Sequence, residues 1–142
     1  MVQTQESATP TTAASADGVR SRVIVVGYSP KPEGRAALAR ALAEARARTA
    51  EVVVVHTAAD GEVADLRAEL VASGVPFEIK EAADALDPAE DLITTADARA
   101  AEFIVIGLRK RSPVGKLLLG SNAQRVLLDA ACPVLAVKAE PA

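Results

Sequence analysis

Three short runs constrain this chain more than anything else in it: VIVVG (Val23–Gly27), VVVVH (Val52–His56) and FIVIG (Phe103–Gly107). Each is dominated by β-branched residues and lacks the apolar–polar alternation of a strand with one wet face. That pattern belongs to strands covered on both faces, as in parallel sheets. Two more strands are predicted. VPFEIK alternates Val75, Phe77 and Ile79 with polar neighbours, so it reads as half-exposed, and Pro76 suits a sheet edge. PVLAV (Pro133–Val137) is the fifth.

The segments between the strands read as helices. Pro32 to about Thr49 is Ala-rich, with Leu38, Leu42 and Ala45 one turn apart on one face. Val63, Leu66 and Leu70 keep helical spacing, and Gly74 is a natural stop. In DPAEDLITTADARA, Asp87 is expected to cap, Pro88 to take the first helical position and Glu90 to complete a capping box. Leu92, Ile93 and Ala96 are expected to face the core. SNAQRVLLDA reads as a fourth helix capped by Ser121, with Gln124 at the reciprocal position. Strands alternating with helices predict an α/β domain: a doubly wound, five-stranded parallel sheet with helices on both faces.

Composition narrows the function. Of 142 residues, half are hydrophobic but only 2% are aromatic, namely Tyr28, Phe77 and Phe103. An aromatic platform for stacking single-stranded nucleic acid is therefore not expected. The net charge of −3 and a pI near 5.2 argue against general polyanion binding, so no nucleic-acid partner is expected. No apolar run approaches the roughly 20 residues of a membrane span. Residues 1–20, rich in Thr, Ser and Ala, lack a basic start and an apolar stretch of signal-peptide type. They read as a disordered tail ahead of a single domain over 21–139. Cys132 is the lone cysteine, which excludes an internal disulfide and suits a reducing, cytoplasmic compartment; it is expected to be a buried small hydrophobe. One His and one Cys make no ordinary zinc site, and no metal site is predicted.

In a doubly wound sheet, ligands sit beyond the carboxyl ends of the strands where strand order reverses. Two loops there stand out: GYSPKPEG (Gly27–Gly34), and GLRKRSPVGKLLLGS (Gly107–Ser121). If strands one and four are neighbours, these loops meet. The second loop combines glycines, which let amides converge on an anion, with Arg109, Lys110, Arg111 and Lys116. It also ends at a helix amino terminus. The competing reading is a solvated basic loop in which Gly120 serves only the turn. It is not a Walker phosphate loop, because Lys110 stands where that motif needs Gly and Leu117 where it needs Ser or Thr. His56, the only histidine, has no partner in the sequence that would make it a catalytic base, and it reads as a structural residue. Glu33 and Glu90 read as helix-amino-end charges. No catalytic residue is assigned, and whether the chain is an enzyme is left open, with turnover not expected.

Gly107, two residues, Lys110, nine residues, then Gly120–Ser121 resembles the glycine motif of the universal stress protein family, with one glycine replaced. VIVVGYSP, VVVVH, DPAE and CPVLAVK extend the likeness over about Arg22 to Lys138. The resemblance implies a Rossmann-like fold of the adenine nucleotide alpha hydrolase type and ATP or another adenine nucleotide as ligand, with Mg²⁺ entering only with the nucleotide. It assigns Gly107, Arg109, Lys110, Gly120 and Ser121 to the phosphate side and the backbone of Thr57 to the adenine. It places Ser29 where family members carry Asp. Ser29 offers a neutral hydrogen bond in place of a charge-assisted one about twice as strong. The resemblance further implies a homodimer through Val134, Leu135, Ala136 and Val137 of the last strand. The implied function is a stress-response nucleotide-binding module without efficient turnover. The alternatives are a ligand-free dimeric interaction protein of the same fold and a slow ATPase.

Overall fold

The computed structural model describes residues 22–57, 59–82, 87–109 and 119–139. The tail reading for residues 1–20, and Lys110, Arg111 and Lys116 of the basic loop, lie outside them. The described chain alternates β1 (Arg22–Tyr28), α1 (Pro32–Arg48), β2 (Ala50–His56), α2 (Asp60–Ser73), β3 (Phe77–Glu81), α3 (Pro88–Ala98), β4 (Phe103–Leu108), α4 (Ser121–Asp129) and β5 (Val134–Lys138). All strand pairings are parallel and the order is β3-β2-β1-β4-β5. The first three strands step one way from β1 and the last two step the other way. The order therefore reverses between β1 and β4, the adjacency that the doubly wound reading requires.

The β-branched runs form the middle of this sheet and are buried on both faces. Ile24, Val26, Val52, Val54 and Val105 point to one side, where they pack with Leu38, Leu42, Leu66 and Leu70 of α1 and α2. Val25, Val53 and Ile104 point to the other, against Ala89, Leu92 and Ala96 of α3 and Val126 of α4. Period-two alternation thus feeds two separate cores. On α1, the buried stripe Ala37, Leu38, Ala41, Leu42 and Ala45 follows helical spacing. Burying each leucine contributes roughly 1.5–3 kcal/mol. Gly74 ends α2 in the left-handed region at φ 76°, which only glycine adopts without strain.

Several local expectations are revised. Gly120 is the cap residue of α4 and Ser121 is the first helical residue; no side chain among the described residues caps that end, and Gln124 donates instead to the Leu119 carbonyl at 3.0 Å. Both residue types favour helix starts, so sequence could not place the boundary to one position. Asp87 does cap α3, accepting from Glu90 N–H at 2.8 Å. The Glu90 carboxylate, however, pairs with Arg125 rather than closing a capping box. Ile93 is only half-buried while Thr95 is buried, because the inward stripe of α3 runs through Leu92, Thr95 and Ala96. Cys132 is also half-buried, since it lies in the short loop before an edge strand. Burial and the charge of Asp97 hold its thiol pKa above the ordinary value.

Candidate functional site

The reversal between β1 and β4 leaves a cleft of about 260 Å³ at the carboxyl ends of the central strands. Its floor comes from the strand ends: Gly27 and Tyr28 of β1, Val55 of β2, and Ile106 and Gly107 of β4, with Ser29, Thr57 and Ala82 just past β1, β2 and β3. Its walls are the first two turns of three helices. These are Glu33 and Gly34 of α1, Pro88, Ala89 and Leu92 of α3, and Asn122, Ala123 and Val126 of α4. Helix amino ends converge here because, in a parallel sheet, every helix that follows a strand starts at the same edge. Each brings N–H groups without intrahelical acceptors and a positive dipole end.

The three amino ends are not equivalent. Asp87 already occupies that of α3. Glu33 stands in the first turn of α1. At α4, among the described residues, no side chain caps and no acidic residue lies in the first turn, so it is the one of the three most open to an external anion. Arg125, in the next turn of α4, ties it to α3 through Asp87 at 2.9 Å and through Glu90. These exposed pairs contribute modestly to stability, but they fix two walls of the cleft relative to each other.

Two glycines shape the near wall for packing reasons. A Cβ on Gly107 would lie 1.9 Å from the Glu33 carbonyl oxygen, so the end of β4 can meet α1 only as glycine. A Cβ on Gly34 would lie 2.3 Å from both the backbone nitrogen and oxygen of Ser29, so the β1–α1 connection folds back tightly on the helix. Gly120 differs. Its φ is −67°, and a Cβ there meets nothing within 4 Å among the described residues. At Gly27 a Cβ would approach Leu92 Cδ1 at 3.1 Å, so that strand-end position, too, leaves side-chain space to the cleft.

The cleft brings together three of the residues singled out from sequence: Ser29, Thr57 and Gly107. Gly120 and Ser121 stand at the amino end of α4, directly before the lining residues Asn122 and Ala123. Arg109 is exposed one position beyond β4 and does not line the cleft; Lys110 is outside the described residues. His56 is buried at the end of β2 and its carbonyl accepts from Ala82 N–H at 2.9 Å. Sequence reasoning missed the apolar wall of α3 and the cleft-facing position of Glu33. The Glu33 Oε1 atom is shielded from solvent and has no hydrogen-bond partner among the described residues.

This donor set suits a ligand with a flat apolar part and an anionic end. The apolar floor and the wall from Leu92, Ala89 and Ile106 provide the first, and the uncapped α4 amino end provides the second. Among the described residues no group of three or more potential ligands could hold a metal, and no helix is long and apolar enough to cross a membrane.

The comparisons with known proteins agree with this architecture. The sequence model of the universal stress protein family matches residues 62–138. The chain is 50% identical over 127 residues to a universal stress protein of Mycolicibacterium smegmatis, covering 82% of this chain and 97% of the relative. It superposes on a universal stress protein structure from Archaeoglobus fulgidus with a TM-score of 0.68 and 30% identity, over 84% of this chain and all of the other. A second structure, of the universal stress protein from Archaeoglobus fulgidus in complex with dAMP, matches with a TM-score of 0.63 at 24% identity, over 84% of this chain and 98% of the other. With its reversed parallel sheet and a glycine-flanked cleft at the switch point, the chain belongs to the universal stress protein family.

Proposed function

We propose that the chain is a cytoplasmic stress-response protein that binds an adenine nucleotide, ATP or a monophosphate relative, in the β1–β4 cleft without efficient turnover. The observation that carries this reading is the uncapped amino end of α4 opening beside an apolar cleft at the switch point. A cleft near 260 Å³ lies just under the ~300–1,000 Å³ usual for small-molecule sites, a size that suits a nucleoside with its phosphates extending outward along α4. The complex of an Archaeoglobus fulgidus family member with dAMP supports the choice of nucleotide class. Phosphates would meet the amides of Ser121 and Asn122, with Gly120 keeping the approach clear. Arg109 and Lys110 would add charge from the connecting loop, and Mg²⁺ would arrive only with the nucleotide. The base would lie toward Thr57.

Binding rather than catalysis is the reading because, among the described residues, no two side chains lining the cleft form a base–nucleophile pair. The second part of the proposal is a homodimer. Strand β5 is a sheet edge, and Val134, Leu135, Ala136 and Val137 on it are only half-covered. Pairing with the same strand of a second copy would satisfy that edge with two-fold closure.

Titration with ATP, ADP, AMP and cyclic AMP, with and without Mg²⁺, tests the ligand. Saturable binding that is lost in Gly120→Asp supports it, because the new carboxylate stands at the phosphate position. No binding at millimolar nucleotide transfers support to a ligand-free interaction protein. Phosphate release proportional to protein concentration would make the chain a slow ATPase.

A further inference from the structure

We propose that Glu33 is the sugar-recognising group of the cleft, accepting hydrogen bonds from the vicinal hydroxyls of a ribose; this rests on the nucleotide-binding reading above. Glu33 lines the cleft, and its Oε1 atom is buried with no hydrogen bond among the described residues. A buried acceptor without a donor carries a desolvation cost that a protein keeps only when something else supplies the donor.

Charge selects among the donors. A carboxylate repels phosphate, so Glu33 does not belong to the anion subsite, which lies at the amino end of α4. A metal ion needs more ligands than the described residues assemble. Neutral hydroxyl donors fit, and a carboxylate is the group that commonly holds a ribose diol in nucleotide sites on this type of sheet.

Position selects the sugar over the base. Strand β1 lies between β2 and β4, so the first turn of α1, which follows β1 and carries Glu33, lies between Thr57, past β2, and α4, which follows β4. In any nucleotide the sugar lies between base and phosphate. The backbone of Glu33 is also set closely against β4, because Gly107 leaves no Cβ between them. The backbone from which its side chain extends is therefore held before a ligand arrives, which limits the entropy lost on binding.

The test compares ATP with 2′,3′-dideoxy-ATP by calorimetric titration, on the wild-type chain and on Glu33→Ala and Glu33→Gln. The wild type is expected to prefer ATP by roughly ten- to a hundredfold, the range of a hydrogen bond to a charged acceptor. Glu33→Ala should bind both alike, at close to the wild-type affinity for the dideoxy compound. Glu33→Gln keeps an acceptor and should retain part of the preference; it carries the test if the alanine variant does not fold, as judged by thermal melting. A wild type that binds both compounds equally, or a Glu33→Ala variant that keeps the preference, overturns the assignment while leaving nucleotide binding intact. A wild type that binds neither overturns the nucleotide reading and this inference with it.

Discussion

Replacing Gly107 with alanine is the sharpest structural test of how the cleft is built. The added Cβ would lie 1.9 Å from the carbonyl oxygen of Glu33, 2.5 Å from its carbonyl carbon and 3.0 Å from its Cα. All three are backbone atoms, so no side chain can swing aside. Either β4 or the first turn of α1 must retreat by more than an ångström. Overpacking against rigid surroundings costs about 3 kcal/mol, the upper part of the usual range. The lower chain entropy of alanine in the unfolded state offsets about 0.7 kcal/mol of that. The net loss is roughly 2 kcal/mol, or about 8 °C in melting temperature for a domain of this size. The control is Gly120→Ala, where φ is ordinary and a Cβ meets nothing among the described residues. It should change stability by less than about 1 kcal/mol. Thermal and urea unfolding followed by circular dichroism measure both. A Gly107→Ala protein that melts within 1–2 °C of wild type, or a Gly120→Ala protein that is the more damaged of the two, would refute the close approach of α1 to β4.

Lys80→Met should cost about 3 kcal/mol in urea unfolding at neutral pH, because it leaves the fully buried carboxylate of Asp91 without the cation whose Nζ lies 2.5 Å away; unchanged stability would show that Lys80 does not compensate that carboxylate. Leu70→Ala, which removes a fully buried side chain between α2 and the sheet, should lower stability by about 2–5 kcal/mol. The Cys132 thiol pKa is raised in the fold, so alkylation near pH 8–9 should be slower than in the denatured chain. The same shift makes its contribution to stability present below the unfolded thiol pKa and lost as pH rises through the folded one; equal alkylation rates would contradict both statements. Arg125→Ala should change stability by no more than about 1 kcal/mol, since its partners are surface carboxylates, yet weaken nucleotide binding by loosening α3 against α4; unchanged affinity would remove Arg125 from the account.

Much of the fold was legible because its signals are local. VIVVG, VVVVH and FIVIG can hardly be anything but covered strands, and Gly74 and Asp87 mark helix ends through chemistry confined to one or two turns. Strand order was inferred from the alternation of elements, and no residue states it. The β1–β4 adjacency came from the general behaviour of doubly wound sheets. The site was legible only in part for the same reason. Gly107 and Gly120 stand in one motif, but they do different jobs: the first is demanded by a backbone from another part of the chain and the second is not. Glu33 looked like an ordinary first-turn carboxylate, because the shielding of its Oε1 atom, with no hydrogen-bond donor among the described residues, is a tertiary property. The wall made by Pro88, Ala89 and Leu92 was hidden among helix-start and core signals. Its second face, toward the cleft, exists only once α3 is packed beside β1 and β4.

A nucleotide guest is expected to occupy the cleft between β1 and β4. Amide chemical-shift mapping on the ¹⁵N-labelled chain, with ATP added in steps, reads this residue by residue. Saturable shifts should centre on Gly27, Ser29, Gly107, Ser121 and Asn122, with β3 and the far ends of the helices unmoved. Shifts confined to surfaces away from those strand ends, or none at millimolar nucleotide, would contradict it.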